Sequence, residues 1–194
     1  YRIYDAAGQN DIYGYDSQTL FGSLQHKVTE QWTLGFSGYS QDSKSEYSGQ
    51  FDGKKNQADI NFYSIGSELS YQNDYLRSTF QLNSIKDDSA DGDAAGLNAK
   101  TTLTAYRNSF SWINTYTKIE NVTLNLGIDS YQEKAERGGT NTIDYVETER
   151  NNKAAFMMGR IDLGDLTSEL SIRYDDDSSF GDNSTWNAAI GYYF

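Results

Sequence analysis

Aspartates are the residues of this chain whose type and spacing could do chemistry. Three of them, Asp5, Asp11 and Asp16, lie in the stretch "YDAAGQNDIYGYD" (4–16). Two more, Asp52 and Asp59, lie in the next long polar segment. Hard cations such as Ca²⁺ prefer several converging carboxylate and carbonyl oxygens, so two neighbouring acidic loops could bind one. The alternative is that all five are solvated turn residues, a role in which Asp is common.

The chain offers little from which to build a catalytic centre. It has no Cys and a single His, His26, which alternates with Leu24 and Val28 and has no nucleophile at a matching spacing. The acidic stretches "DDSADGD" (87–93) and "YDDDSS" (174–179) lack the Glu that ends a hand-type Ca²⁺ loop and are predicted to be solvated loops. We therefore predict a binding or transport protein and no enzyme.

Composition narrows the class further. The 194 residues fit one domain, and a formal net charge of −12 argues against a nucleic-acid partner. Only 37% of the residues are hydrophobic, so a thick dry core would be hard to fill, and no apolar run approaches the roughly 20 residues of a membrane helix. Sixteen Tyr and an aromatic content of 14% are typical of an ordered chain.

Alternation of apolar and polar residues predicts an all-β, antiparallel fold. Most predicted strands have about ten residues or more, close to the 9–11 residues of a tilted membrane strand. The nine predicted strands are 19–28, 32–41, 61–72, 75–86, 103–118, 122–133, 153–163, 166–175 and 185–194.

The connections between these strands alternate in length. "TEQ", "QND", "IEN" and "GD" are short, whereas the connections between those hairpins are long and polar. This order is typical of an outer-membrane β-barrel, with tight periplasmic turns and long extracellular loops. We expect residues 1–18 to be extracellular loop and 19–194 to be barrel strands with their turns and loops.

The two faces of the predicted strands differ in the way a barrel requires. One face is apolar and carries aromatic residues near the short turns, which resembles the aromatic girdle of a membrane interface. We expect it to contact outer-membrane lipid and lipopolysaccharide, and the opposite face to border a hydrated lumen. The girdle residues are Trp32, Tyr71, Tyr75, Tyr116 and Tyr192.

An odd number of strands leaves the architecture open. Bacterial barrels usually have an even number, so nine strands predict a part of a larger barrel, with no plug domain in this chain. The alternatives are a complete small barrel with a structural or adhesive role, which the aromatic end "YYF" favours, and a soluble β-sheet binding module.

Two stretches resemble a known family. "GYDSQTLFGSLQHKVTEQWTLGFSGYSQDSKSEYSG" (14–49) and "GDLTSELSIRYDDDSSFGDNSTWNAAIGYYF" (164–194) resemble barrel segments of TonB-dependent outer-membrane receptors, and among them those for cobalamin. The resemblance implies strands from a 22-stranded barrel of a Gram-negative outer membrane. It also implies uptake of cobalamin or a similar nutrient, and coupling to TonB through the absent plug. A siderophore receptor is the alternative within the family.

The resemblance also bears on the aspartates. It implies that Ca²⁺ binds to aspartates of two adjacent extracellular loops, with Asp11 at a ligand position and Asp5 at a plausible second one. Tyr13 stands where another acidic ligand is expected, and the Tyr-Asp pair of the following loop is Tyr47-Ser48 here. On the lumen side, Arg77, Arg107, Arg160 and Arg173 are predicted to form ion pairs between strands with Glu68, Asp129, Asp162 and Glu169.

Overall fold

The computed structural model describes residues 2–4, 10–48, 55–93, 101–139 and 148–194, which form strands joined by turns. No helix among these residues is long and apolar enough to cross a membrane. The strands are β1 (Arg2–Tyr4), β2 (Asn10–Ile12), β3 (Tyr15–Lys27), β4 (Trp32–Ser48), β5 (Lys55–Gln72), β6 (Leu76–Asp93), β7 (Thr101–Tyr116), β8 (Val122–Gly139), β9 (Glu149–Leu163), β10 (Leu166–Asp177) and β11 (Gly181–Tyr192).

Nine of the strands form one sheet in which every strand pairs with its neighbour along the chain. The order runs from β11 to β3 without a crossover, and every pair is antiparallel. The predicted all-β meander of nine strands is therefore confirmed. Strands β1 and β2 form a separate two-stranded sheet.

The strands extend farther into the predicted long connections than the sequence indicated. β5, β6 and β8 each have 18 residues. The stretch 87–93, predicted to be a loop, is the end of β6, and 174–177 is the end of β10. The predicted loop 1–18 likewise contains β1, β2 and the start of β3. Backbone pairing continues there because polar side chains on both faces of a strand are compatible with the ladder when water solvates them.

Short turns close the hairpins at the opposite end of the sheet. The Thr29 hydroxyl accepts a hydrogen bond from the backbone N–H of Trp32 (3.1 Å), and the Asn73 side chain accepts two, from Tyr75 (3.0 Å) and Leu76 (2.8 Å). Gly164 adopts a positive φ of 61° in the two-residue turn before β10, which suits a residue without a Cβ. These turns hold the register that separates the two faces.

The register places apolar side chains on one face, which we call the apolar face. Leu24, Phe36 and Leu82 lie on it, and Trp32 packs against Tyr71 in a tilted contact with ring centroids 4.9 Å apart. These side chains contact no second layer: Leu24 is 66% exposed and Leu82 is 47% exposed. Among the described residues only Tyr13 and Ala154 are buried apolar side chains. Soluble monomers rarely expose a continuous apolar surface of this kind.

Candidate functional site

The opposite face, which we call the polar face, carries a chain of ion pairs near the ends of β7 to β10. Arg107 on β7 contacts Glu133 on β8, with Nη1 and Oε1 2.9 Å apart. Arg150 on β9 lies 3.8 Å from the same carboxylate and binds Asp177 at the end of β10, with Nη2 and Oδ2 2.8 Å apart. Four adjacent strands thus contribute alternating basic and acidic groups.

Aromatic rings pack against the guanidinium groups of this chain of ion pairs. The centroid of the Tyr131 ring lies 4.3 Å from the guanidinium carbon of Arg107 and 5.5 Å from that of Arg150. Phe180, in the turn between β10 and β11, lies 4.9 Å from Arg150. Cation–π contacts of this kind fix the planes of both arginines while leaving some of their N–H groups available.

Asp177 connects the ion pairs to the turn that carries Phe180. Its carboxylate is 6% exposed and accepts hydrogen bonds from the backbone N–H groups of Ser179 (3.0 Å) and Phe180 (3.2 Å). Asp177 lies beyond Tyr174, the last large apolar residue of β10. The hydrogen bond from Arg150 lowers the pKa of Asp177 to about 2, against the opposing effect of burial. The carboxylate therefore holds the turn over Arg150 throughout the physiological pH range.

These groups border an open concavity of about 520 Å³ on the polar face. Its wall combines apolar surface from Phe62, Ile85 and Phe180 with the charged groups of Asp87, Glu133 and the two arginines. A few oriented polar groups on a largely apolar wall are typical of a site for a sizeable amphipathic ligand.

A second ion-pair network lies closer to the short turns. Arg173 on β10 reaches across β9 to Asp129 on β8, with Nη1 and Oδ2 2.7 Å apart, and also binds Asp175 at 2.8 Å. Phe156 of β9 lies between them, and its ring packs directly over Gly127. The glycine makes room for the ring, which supports the arginine from below with 5.9 Å between the Phe156 centroid and the guanidinium carbon.

The predicted polar-face ion pairs are confirmed in part. Arg107 and Arg173 pair between strands as expected, although Arg107 pairs with Glu133. Arg160 pairs with Asp162 of its own strand at 2.9 Å, because residues two apart on a strand share a face. Glu68 accepts hydrogen bonds from Ser70 and Gln81 (both 2.8 Å), and Arg77 and Glu169 have no ion pair among the described residues.

Four residues of this site were not predicted from the sequence: Arg150, Tyr131, Glu133 and Phe180. All four lie in or beside stretches that were predicted to be a loop or the end of a strand. The alternation of the two faces was therefore not extended to them. The same error hid the partners of the acidic stretches: Asp88 pairs with Lys86 and accepts from Thr104, and Asp91 accepts from Tyr47. Extending the period-two pattern of β9 backwards from Phe156 would have placed Arg150 on the polar face.

The predicted cation ligands are not brought together by the described residues. Asp5 and Asp52 lie outside them, and Asp11 is in β2 opposite Ile3. Asp16 and Asp59 both lie opposite Lys44, one on each side of β4, so their backbones are about 10 Å apart. No group of three or more His, Cys, Asp or Glu residues suited to a metal ion occurs among the described residues. The calcium site stays a prediction.

His26 lies on the apolar face as predicted, opposite Leu34 in the register. It has no hydrogen bond or ion pair to any described residue.

Comparison with known proteins gives the family context of this sheet. No family model matches the chain. The chain is 42% identical over 191 residues, 98% of its length, to the vitamin B12 transporter BtuB of Vibrio vulnificus. It is 26% identical over 184 residues, 95% of its length, to the vitamin B12 transporter BtuB of Photobacterium profundum. The chain spans about 31% and 30% of the length of these relatives, so it is homologous to one segment of them.

Proposed function

We propose that this chain is a wall segment of a TonB-dependent outer-membrane barrel that takes up vitamin B12. The likeness to two vitamin B12 transporters over nearly its whole length carries the proposal. The nine-stranded meander with one apolar and one polar face supports it, because a barrel wall has this arrangement. Its role is binding and transport, with no chemistry on the ligand, in keeping with relatives that are named transporters.

In this proposal the apolar face contacts lipid and the polar face borders the lumen. The short turns at Thr29, Asn73 and Gly164 lie on the periplasmic side, and the long connections lie outside the cell. The aromatic pair Trp32 and Tyr71 near the short turns suits the membrane interface, where amphipathic aromatic rings are enriched. The backbone groups of β4 to β10 are satisfied by pairing on both sides, as a lipid environment requires.

The concavity on the polar face then lies in the outer half of the lumen. Vitamin B12 is a large ligand with a flat ring system, amide side chains and a phosphate diester. Phe180, whose side chain is 78% exposed, offers an apolar contact for the ring system. Arg107 and Arg150 offer N–H groups for amide oxygens or the phosphate. A plug domain docked in the lumen would contact the same face and would connect it to TonB.

Uptake by the full-length protein tests this proposal. Bacteria that lack their own vitamin B12 transporter are given the full-length protein, and binding and uptake of radiolabelled cyanocobalamin are measured. The double variant Arg107→Gln and Arg150→Gln should weaken binding about thirtyfold, since each of the two lost charged hydrogen bonds costs about 1 kcal/mol or more. Arg160→Gln, on the same face near the short turns, should bind normally.

Other outcomes would identify the alternatives. Uptake of a ferric siderophore in place of cyanocobalamin would assign a siderophore receptor. Correct insertion without uptake of either ligand would favour a structural or adhesive barrel. A full-length protein that stays in the aqueous fraction would favour the soluble binding module.

We also propose that Ca²⁺ binds the acidic segments that carry Asp5, Asp11, Asp16, Asp52 and Asp59, and orders the connections beside them. Two acidic segments that follow one another along the chain support this, because their oxygens suit a hard cation. Removal of Ca²⁺ with a chelator should weaken cyanocobalamin binding, and added Ca²⁺ should restore it. The combined variant Asp5→Asn and Asp11→Asn should bind weakly with or without Ca²⁺. Equal binding in chelator and in Ca²⁺ would contradict the proposal.

A further inference from the structure

Strand β9 has a distinctive series of side chains on its apolar face. Inward from Glu149 and Asn151 at its outer end, these are Lys153, Ala155, Met157 and Gly159. Gly159 lies at an apolar concavity of about 290 Å³, whose walls are formed by Leu124, Met157, Leu170, Ile172 and Trp186. The walls are open to the surroundings, since Leu170 is 61% exposed and Trp186 is 76% exposed. A long, thin apolar group is the natural occupant of such a groove.

Lys153 provides a cation in the outer half of the same strand, four residues inward from Glu149. It is exposed, and it has no ion pair or hydrogen bond to any described residue. Its cross-strand neighbours are Ser130 on β8 and Asp176 on β10. A lysine ammonium is a compact point charge on a flexible stem and binds phosphate well.

Basic residues are sorted between the two faces of the whole sheet. Among the described residues of the nine-stranded sheet, lysines lie on the apolar face and arginines on the polar face. Lys27, on the polar face, is the one exception. On the polar face, most arginines are held by carboxylates of the sheet. The lysines of the apolar face are Lys44, Lys55, Lys86, Lys134 and Lys153, and the arginines of the polar face are Arg77, Arg107, Arg137, Arg150, Arg160 and Arg173.

Tyrosines accompany these lysines. Tyr63, Lys86, Tyr106 and Lys134 form one cross-strand row on the apolar face, and the Lys86 ammonium lies 5.7 Å from the Tyr106 ring centroid. Alternating tyrosine and lysine at the outer edge of an apolar band is the arrangement expected at the headgroup level of a membrane.

The spacing along β9 matches one leaflet of a membrane. Lys153 and Gly159 are six residues apart, which is about 20 Å along a strand. With a membrane strand tilted by about 45°, this corresponds to about 14 Å along the membrane normal, close to half of the 30 Å hydrocarbon core. A lipid with its headgroup at Lys153 would therefore place an acyl chain over Gly159.

We propose that the apolar face of β8 to β11 binds one lipopolysaccharide molecule, with a lipid A phosphate at Lys153 and an acyl chain in the groove at Gly159. The site lies toward the long connections, and so in the outer leaflet if the membrane orientation proposed above holds. Lipid A fits because its phosphates sit on the acylated sugars themselves, directly above the chains.

Acidic groups near the headgroup position limit the affinity. Asp176 lies directly opposite Lys153, and Asp182 of β11 lies opposite Asp176 and near Tyr174. A phosphate at Lys153 therefore competes with Asp176 for the ammonium. Removing the charge of Asp176 should therefore strengthen lipid binding. A purely apolar contact would not give a change in this direction.

The test uses the full-length protein, purified in detergent and titrated with bisphosphorylated lipid A or its dephosphorylated form, with bound lipid counted by native mass spectrometry. We expect preferential binding of the bisphosphorylated form. Lys153→Gln should weaken it about fivefold, the effect of one basic residue at a charged lipid surface. Gly159→Leu should weaken both forms by filling the groove, and Asp176→Asn should strengthen binding of the bisphosphorylated form only.

Matched controls separate the site from general effects. Lys118→Gln removes a lysine at the short-turn end, where Lys118 lies 5.5 Å from the Tyr75 ring. Gly22→Leu adds the same bulk at another glycine of the apolar face, where no atom lies within 4 Å of an added Cβ. Both should bind lipid A like the unmodified protein.

Three outcomes would overturn the lipid site. These are equal binding of the two lipid A forms, unchanged binding in Lys153→Gln, or preferential retention of phosphatidylglycerol over lipid A. Failure of the proposed function is detected separately, by flotation of the unmodified protein with phosphatidylcholine vesicles. Protein that does not float refutes the membrane assignment, whereas protein that floats without preferring lipid A refutes only this site.

Discussion

At the scale of single residues, Gly127 shows how the polar face is packed. A Cβ at this position would lie 2.2 Å from the Cζ atom of Phe156, whose ring supports Arg173. Gly127→Ala should therefore force the ring aside and lower the free energy of unfolding by about 1–3 kcal/mol. Denaturant titration of the full-length protein in lipid vesicles measures this.

Gly38→Ala is the matched control, because no atom lies within 4 Å of an added Cβ there. It should change the free energy of unfolding by less than about 0.5 kcal/mol. Equal effects of the two substitutions would show that the Phe156 ring does not occupy the space over Gly127.

The carboxyl group of Asp177 is predicted to titrate well below its ordinary range. Its pKa is lowered from 3.8 to about 2, chiefly by the hydrogen bond from Arg150. The contact thus adds stability that is fully present above about pH 4 and is lost as the pH falls through about 2. NMR titration of the Asp177 carboxyl carbon measures the pKa.

The variant Arg150→Gln tests whether Arg150 is the cause of the lowered pKa of Asp177. The pKa of Asp177 should rise towards 3.8 in this variant, and the turn at Ser179 and Phe180 should then loosen at a higher pH. A pKa of Asp177 that stays near 2 without Arg150 would contradict the assigned cause.

At the scale of elements, the short turns are set by single side chains. Asn73 accepts hydrogen bonds from two backbone N–H groups of the turn between β5 and β6. Asn73→Ala should lower the free energy of unfolding by about 0.5–1.5 kcal/mol, since those groups lose their partner. Asp74→Ala, in the same turn, removes no such bond and should leave the free energy of unfolding unchanged. Hydrogen exchange of the β5–β6 amides, compared in the two variants, locates the effect.

The strands also show which parts of the fold could be predicted from the sequence. Strict alternation from Leu20 to Val28, or from Val122 to Ile128, identified strands because one face there is uniformly apolar. Alternation fades beyond Ile128, where Ser130, Gln132 and Lys134 continue the apolar face of β8 with polar groups. The ladder nevertheless continues to Gly139, because its hydrogen bonds depend on neighbouring strands and not on hydropathy.

The candidate site was predictable only in its chemistry. Arginines and carboxylates on one face could be identified by position parity, and Arg107 and Arg173 were found in this way. Their partners could not be chosen, because a pair such as Arg173 and Asp129 spans the intervening strand β9 and depends on side-chain reach. The packing of Phe180 on Arg150 depends on the conformation of a turn, which parity does not describe.

At the scale of the whole molecule, the two faces of the sheet have opposite chemical character. A sheet of nine strands presents exposed leucine, isoleucine and tryptophan on one side and ion-pair networks on the other. Lipid would solvate the apolar side chains of the first face, and a hydrated lumen would solvate the charged groups of the second. The homology to vitamin B12 transporters gives the arrangement its proposed use, and the lipid site on β9 follows from the same orientation.

The accessibility of β8 side chains to oxygen and to a water-soluble reagent distinguishes a lipid-facing side of the sheet from a lumen-facing side. The chain has no Cys, so single spin labels can be attached at Cys introduced for Leu126 and Ile128 on the apolar face and for Asn125 and Asp129 on the polar face. In lipid vesicles the full-length protein should show labels 126 and 128 relaxed by oxygen, which concentrates in lipid. Labels 125 and 129 should be relaxed by a water-soluble nickel complex. Equal access of the nickel complex to all four positions would contradict a membrane-facing sheet.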